Sequence, residues 1–403
     1  MLCLLSLLMG ERLSAQAMDG SKDFTIRGEI VGLAVGDTLR FEQVELPEFK
    51  PVPQFEVVVS EPGRFEYSGK QSHLEYYLMT YAPCEGKVEH SSLYGLRMLV
   101  DGGTVTVTGE REWIYFSRVS GEAFGDQPML REAAELDNAI QKERSGYLRQ
   151  AMAAYEAGDT LKGQEYGKKF NEYLPKEEDG KRLIELKKGF LQRYPSSPWS
   201  LVERLQGVSY TPLDTLTAYY DRLDATTRES YYGKRLLEKI DEQKRLLPGQ
   251  PAPDFQVTLP DGSTRASDSF RGKYLLIYHW GYCPGSMQRE KDAVELYNRF
   301  KEHLEILGVT DDLASFKKNA EITPDDAELF GMKLKEIYQS MAAHPWIDVE
   351  EPTADNHKIN ELYVFAGFPY FIFISPDGKI ISRGFHETFH QAKKVLEEEF
   401  GKE

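Results

Sequence analysis

The hydrophobic period of this chain changes twice, and those changes constrain its fold more than any single residue does. From about Phe24 to Val119 apolar and polar residues alternate, as in Phe24, Ile26 and Gly28, or in Val105 and Val107 set among Thr104, Thr106 and Thr108. Pro62-Gly63 and Asp101-Gly102-Gly103 are turn signals between the runs. Strands with no helix-period segment between them predict a small N-terminal antiparallel β-sandwich. From about Met129 to Leu247 the step lengthens to three and four residues, as in Leu213, Leu216, Tyr220 and Leu223, then Leu236, Leu237 and Ile240. This is a helical connector, broken at Pro195-Ser196-Ser197-Pro198, with its charges on solvated faces. From Pro248 onward strands and helices alternate, which predicts an α/β domain with a parallel or mixed sheet covered on both faces. Its apolar runs are Tyr274 to Tyr278, Leu304 to Val309 and Tyr370 to Ile374. The last turns at Ser375-Pro376-Asp377-Gly378 into a hairpin ending near Ile381, and helices are expected after Gly285, Thr323 and His386. The expected division is therefore multidomain: 18–126, 127–247 and 248–403.

Charge and composition narrow the function classes. The 403 residues carry 49 Lys+Arg against 65 Asp+Glu, a net −16 that argues against nucleic acid or an anionic membrane as the main partner. Three cysteines exclude a disulfide-dense scaffold and a cysteine-built zinc module. No apolar run reaches the roughly 18 residues of a membrane span. Met1 to Gly10 is a short apolar stretch, and Ala15-Gln16-Ala17 follows it as a small-x-small cleavage signal. Residues 1–17 therefore read as a signal peptide, and the expected location is the periplasm or the cell surface. The alternative for that stretch is a buried N-terminal strand or helix.

The third segment resembles a known family. Gly249-Gln250-Pro251-Ala252-Pro253-Asp254-Phe255, Asp261-Gly262 and Arg271-Gly272-Lys273-Tyr274-Leu275-Leu276 come first; Trp280, the block from Asn360 to Val364, Phe368-Pro369 and Pro376-Asp377-Gly378-Lys379-Ile380 follow in order. This set is similar to the TlpA/ResA-like thioredoxin-fold proteins of the bacterial envelope. The resemblance covers about 248–403; longer members also carry a helical lead-in and an N-terminal β-domain. It implies a thioredoxin-like fold, thiol–disulfide exchange on protein or peptide thiols and disulfides, and a cis peptide bond at Phe368-Pro369 in a loop that presents backbone to substrate. An envelope partner for the β-domain is a further implication. No cofactor or metal is called for, and no phosphate-cradling glycine loop occurs.

The chain departs from that family where the chemistry lies. Exchange needs a thiolate at a helix N-terminus and a second thiol three residues on to resolve the mixed disulfide. The family pattern is Trp-Ala-x-Trp-Cys-x-x-Cys-x-x-Glu; this chain reads Trp280-Gly281-Tyr282-Cys283-Pro284-Gly285-Ser286-Met287-Gln288-Arg289-Glu290. Counted without a gap, Pro284 and Met287 occupy the cysteine positions. Counted with a one-residue deletion, Cys283 is the attacking thiol and Ser286 replaces the resolving one. Neither count yields Cys-x-x-Cys. Two functions follow. One is a degenerate oxidoreductase with Cys283 and Ser286 at the catalytic positions and Trp280, Tyr282, Phe368 and Pro369 against substrate. The other is a redox-inactive module that binds peptide or protein in the groove at Pro369.

Other motifs carry less. His386-Glu387-Thr388-Phe389-His390 matches His-Glu-x-x-His, but it opens the last helix, and a third ligand would have to come from Glu397 to Glu399, closer than such sites usually place it, or from elsewhere in the fold, so a solvated helix start is expected. A peroxidatic site would want Thr where Trp280 stands. Cys84, near Pro83, is expected to pack in a core.

Overall fold

The computed structural model describes residues 21–47, 49–84, 95–121, 127–311, 313–329, 331–350 and 354–401, with the side chains of 354–357 left aside. The proposed signal peptide, and Cys3 within it, lie outside the described residues. The chain divides into two compact units, one running to Gly207 and including 218–236, the other made of 208–217 and 237–403.

The first unit begins with eight strands: β1 (Lys22–Val31), β2 (Thr38–Glu45), β3 (Lys50–Val58), β4 (Arg64–Gln71), β5 (Glu75–Ala82), β6 (Leu96–Val100), β7 (Gly103–Glu110) and β8 (Arg118–Ser120). They form two four-stranded sheets, ordered β4-β1-β7-β8 and β3-β2-β5-β6. Phe24, Ile26, Val105 and Val107 of the first sheet and Leu39, Phe41, Tyr77 and Met79 of the second are buried in one shared core. Period-2 alternation thus gives each sheet one apolar face, and the two faces close on each other. The purely antiparallel expectation needs correction. β1 pairs antiparallel with β4 but parallel with β7, from Phe24 opposite Gly103 to Val31 opposite Glu110. The chain reaches β7 only after passing through the second sheet, so β7 can enter in either direction, and alternation along a strand does not record which.

Helices follow: α1 (Pro128–Glu156), α2 (Thr160–Asn171), α3 (Glu177–Arg193), α4 (Pro198–Gln206), α5 (Leu213–Tyr220), α6 (Ala225–Glu229) and α7 (Tyr231–Arg245). Proline opens α1 and α4, where its missing N–H costs nothing, and Asp159 and Asp224 cap α2 and α6 by accepting from Lys162 and Thr227 N–H.

The second unit contains β9 (Gln256–Thr258), β10 (Thr264–Ala266), β11 (Tyr274–His279), α8 (Pro284–Phe300), β12 (Leu304–Thr310), α9 (Leu313–Ile322), β13 (Glu328–Leu329), β14 (Met332–Lys333), α10 (Leu334–Met341), β15 (Ile347–Glu350), α11 (Ala354–Tyr363), β16 (Tyr370–Ile374), β17 (Ile380–Gly384) and α12 (His386–Phe400). The central sheet runs β15-β12-β11-β16-β17. It is mixed: β11 pairs parallel with β12 and antiparallel with β16. Both faces are buried, so the strands read as continuous apolar runs. Tyr274, Leu276 and Tyr278 face Met287, Ala293 and Leu296 of α8 and Phe389 and Leu396 of α12. Leu275 and Ile277 turn the other way, toward Ile359 and Tyr363 of α11. Each such fully buried aliphatic side chain stabilises the fold by about 1.5–3 kcal/mol. The hairpin at Tyr370–Ile381 is present as β16 and β17. The helix expected after Thr323 is not: α9 ends at Ile322, and a turn and the short β13–β14 pair precede α10. Pro324 supplies no N–H and disfavours helical backbone at Thr323, so the pair stops a helix instead of starting one.

Candidate active site

Cys283 lies at the mouth of α8. Its backbone is extended (φ −147°, ψ 153°), and Pro284 follows at the first helical position with its torsion already set for a helix. The Cys283 Sγ accepts the Ser286 N–H at 3.2 Å, so the thiol is itself the side-chain cap of the helix. The thiol also donates to Ser286 Oγ at 3.3 Å, and that oxygen accepts the Gly281 N–H at 3.3 Å. Ser286 is fully buried and Cys283 is partly exposed. Of the two ways of counting the motif, the one pairing Cys283 with Ser286 describes this geometry. Met287 points into the core.

The aromatic residues around the thiol divide by exposure. Tyr282 is 45% exposed, stacks on Phe316 at 4.1 Å and donates its hydroxyl to the Ser315 carbonyl at 3.3 Å. Phe368 is half-buried, lies against His279 at 4.3 Å, and would be met at 3.0 Å by a Cβ on Gly281. The Phe368–Pro369 peptide is cis. Pro369 is buried, and its Cδ lies 2.8 Å from where a Cβ on Gly285 would stand. Only glycine at 285 lets the proline ring approach the helix start that closely. Trp280 has no exposed surface, which removes it from any face a substrate could touch.

Trp280 instead leads into a buried polar chain. Its Nε1 donates to Asp348 Oδ1 at 3.0 Å, His344 Nδ1 faces Asp348 Oδ2 at 2.8 Å, and His344 Nε2 faces Glu290 Oε2 at 2.9 Å. Ser340 donates to the other Glu290 oxygen at 2.5 Å. The His344 side chain has no exposed surface, and Glu290 and Asp348 are nearly as buried. Burial works against a charged ring here, but hydrogen bonds to Asp348 and Glu290 and their negative charges outweigh it and push the His344 pKa up to about 9. Sequence reasoning singled out Glu290 for its ten-residue separation from Trp280 but missed His344 and Asp348. Their i, i+4 spacing was the available signal, a weak one across a break between elements.

Elsewhere, the solvated start expected for the last helix is half right. His386 is half-buried, with Nδ1 at 3.1 Å from the Arg289 guanidinium; burial first, then that cation, lower its pKa. Among the described residues no group of three His, Cys, Asp or Glu is arranged to hold a metal. The core position expected for Cys84 is overturned: it is exposed, with Sγ 3.4 Å from the Val35 carbonyl, because its N–H is what the fold uses, donated to the buried Asp37. Cys84 and Cys283 are not joined in a disulfide.

Residues 248–383 match the AhpC/TSA family. Human nucleoredoxin is 28% identical over 171 residues, 40% of this chain, and the chain spans only 35% of nucleoredoxin's length. Among solved structures, the thioredoxin domain of a thiol-disulfide oxidoreductase from Bacteroides vulgatus is 22% identical, with 38% of this chain and 99% of that one covered at a TM-score of 0.28. A thioredoxin-like protein from Bacteroides caccae is 13% identical and covers 68% of this chain and 87% of its own, at a TM-score of 0.32. The C-terminal region is an AhpC/TSA thioredoxin-like domain, preceded by a β-rich domain and a helical region. Among the described residues no helix is long and apolar enough to cross a membrane.

Proposed function

We propose that the chain is a monothiol thiol–disulfide exchanger acting on protein or peptide disulfides. One observation carries this reading: the partly exposed Cys283 Sγ is the cap of α8 and accepts the Ser286 N–H. A sulfur that already accepts a helix N–H is held where a thiolate is stabilised and can attack. The Cys283 thiolate attacks one sulfur of a substrate disulfide, forms a mixed disulfide and expels the other sulfur as a thiolate, which takes a proton. Ser286 stands where a resolving thiol would have to be and cannot form a disulfide. An external thiol must therefore attack the mixed disulfide, free the Cys283 thiolate and carry the substrate sulfur away as a new disulfide. Tyr282, exposed next to Cys283 in the chain, and Phe368, packed against Gly281, would meet substrate as apolar contacts, and Pro369 holds the loop against Gly285. Trp280 acts from below by positioning.

Glutathione-dependent reduction of a peptide disulfide tests this. Turnover proportional to glutathione, with a Cys283–peptide adduct trapped when glutathione is withheld, is the expected result. No adduct at any pH between 6 and 9 would overturn it. The buried Ser286 in the resolving position favours a second reading, a redox-inactive module that binds peptides beside Pro369; its mark would be peptide affinity unchanged in Cys283→Ser together with no adduct. Export is also proposed, resting on the apolar Met1–Gly10 stretch and Ala15-Gln16-Ala17. An intact Met1 on protein recovered from the cell envelope would contradict it.

A further inference from the structure

We propose that His344 is a positioning residue for Cys283: its ring, bridging Glu290 and Asp348, ties the strand end that precedes the thiol to the helix that follows it. The proposal rests on the exchange reading for the use made of the thiol, and on geometry alone for the tie. Trp280 ends the strand side and hangs on Asp348; Glu290 stands two turns into α8, the helix that Cys283 caps. Gly281, Tyr282 and Cys283 are strung between those anchors, so slack at either end moves Sγ away from the Ser286 N–H.

The bridge has a proton requirement. Both ring nitrogens of His344 face carboxylate oxygens, at 2.8 and 2.9 Å. A neutral imidazole has one N–H, so only the doubly protonated ring donates to both. Once that proton is lost, a nitrogen lone pair opposes a carboxylate lone pair and one half of the tie opens. Every element packed on the ring takes part. Glu290 comes from α8, Asp348 from β15, Ser340 from α10, and Trp346 stacks on the ring at 4.2 Å. Trp280 meets it edge-on at 4.7 Å. Tyr278 of β11 is the remaining titratable neighbour of the carboxylates; burial first, then Glu290, raises its pKa well above the usual value, so it stays neutral while His344 titrates. Gly308 of β12 supplies an independent sign that the tie is built in. A Cβ there would stand 1.8 Å from Asp348 Oδ1 and 2.8 Å from Trp280 Nε1, on the hydrogen bond itself.

The test is the pH profile of iodoacetamide alkylation at Cys283 in the full chain, read by site-resolved mass spectrometry. It needs no disulfide substrate, so a chain without exchange activity would sink the exchange reading and leave this result standing by itself. Wild type should follow two titrating groups, the thiol and a second with a midpoint near 9. His344→Gln should follow one group and be slower at pH 7 by about tenfold, since displacements of about 1 Å cost that much or more. Gly308→Ala, which keeps all the charges, should also be slow at pH 7. A single-group wild-type profile, or superimposable wild-type and His344→Gln profiles, would overturn the proposal. Should His344→Gln fail to fold, nitrogen NMR of wild type decides: both His344 ring nitrogens protonated at pH 7 supports the tie, and a single-N–H ring refutes it.

Discussion

Each unit places a cysteine beside a buried polar group, Asp37 in one and Ser286 in the other, and the two sites use their cysteines differently. In the sandwich, Asp37 has no exposed side-chain surface and accepts from the Ala34 N–H at 2.8 Å, the Cys84 N–H at 3.0 Å and the Tyr81 hydroxyl at 3.0 Å, with Arg111 at 3.8 Å. Cys84 contributes first a backbone donor, which nearly any residue could supply; its surface thiol adds only a lesser hydrogen bond to the same carboxylate. At the start of α8, Cys283 contributes its sulfur, and its backbone only extends the chain into the helix. Proximity of a cysteine to a buried polar group therefore says little about chemistry. What distinguishes the sites is whether the side chain or the main chain makes the leading contact.

The largest effect should come from separating the two thiols. Cys283→Ser should abolish adduct formation and glutathione-dependent turnover, while Cys84→Ser should leave both within twofold of wild type. Equal losses in the two variants would erase the distinction. Ser286→Cys sharpens it from the other side. With Sγ and Oγ already 3.3 Å apart, an introduced thiol is in place to attack the mixed disulfide, and single-turnover substrate release without glutathione should accelerate by about 100-fold or more. Release that still waits for glutathione would show the position is not the resolving one.

The two buried clusters should fail at opposite ends of the pH range. His344 has a folded pKa raised to about 9 from 6.5, so its stabilisation of the second unit is complete below about 6.5 and lost as pH climbs through 9, an effect of at most about 3 kcal/mol. Burial alone would raise the Asp37 pKa, but the Ala34 and Cys84 amides and the Tyr81 hydroxyl hold it below 3.8. Its contribution is present above 3.8 and lost as pH falls through the lower folded value. Hydrogen exchange resolved by segment should therefore show β11, α8 and β15 loosening first in alkali, and β2 and β5 loosening in acid. Loosening of the same unit at both ends would break the contrast. The smallest effect is expected for Gly285→Ala, where a new Cβ meets Pro369 Cδ at 2.8 Å; about 1–3 kcal/mol of destabilisation and slower alkylation of Cys283 should follow, measured by urea midpoint and rate.

How much was legible depended on whether a contact is local. The Tyr370–Ile381 hairpin was readable because its turn and strands are contiguous, and the helix expected after Gly285 is present as α8, which begins at Pro284. The β1–β7 direction was not, because alternation is the same read forward or backward. The motif count was ambiguous by one residue: Trp280 and Glu290 agree with the family spacing, while taking Cys283 as the attacking thiol needs a deletion before it and a compensating insertion before Glu290, a pair that the end-to-end spacing does not record.

From the sequence alone come the three periodic regimes, the thioredoxin-like character of the last one, and the absence of a second cysteine three residues from Cys283. These are properties of spacing and identity, which need no third dimension. The tertiary structure alone decided that Ser286 faces the thiol, that Trp280 is closed to substrate, and that His344 bridges two acids. Glu290 and His344 are 54 positions apart, and His344 becomes a doubly bonded ring only where β15, α8 and the end of β11 exclude water together. Burial is a property of the whole packed domain, and it turns three ordinary titratable side chains into one structure that no local pattern encodes.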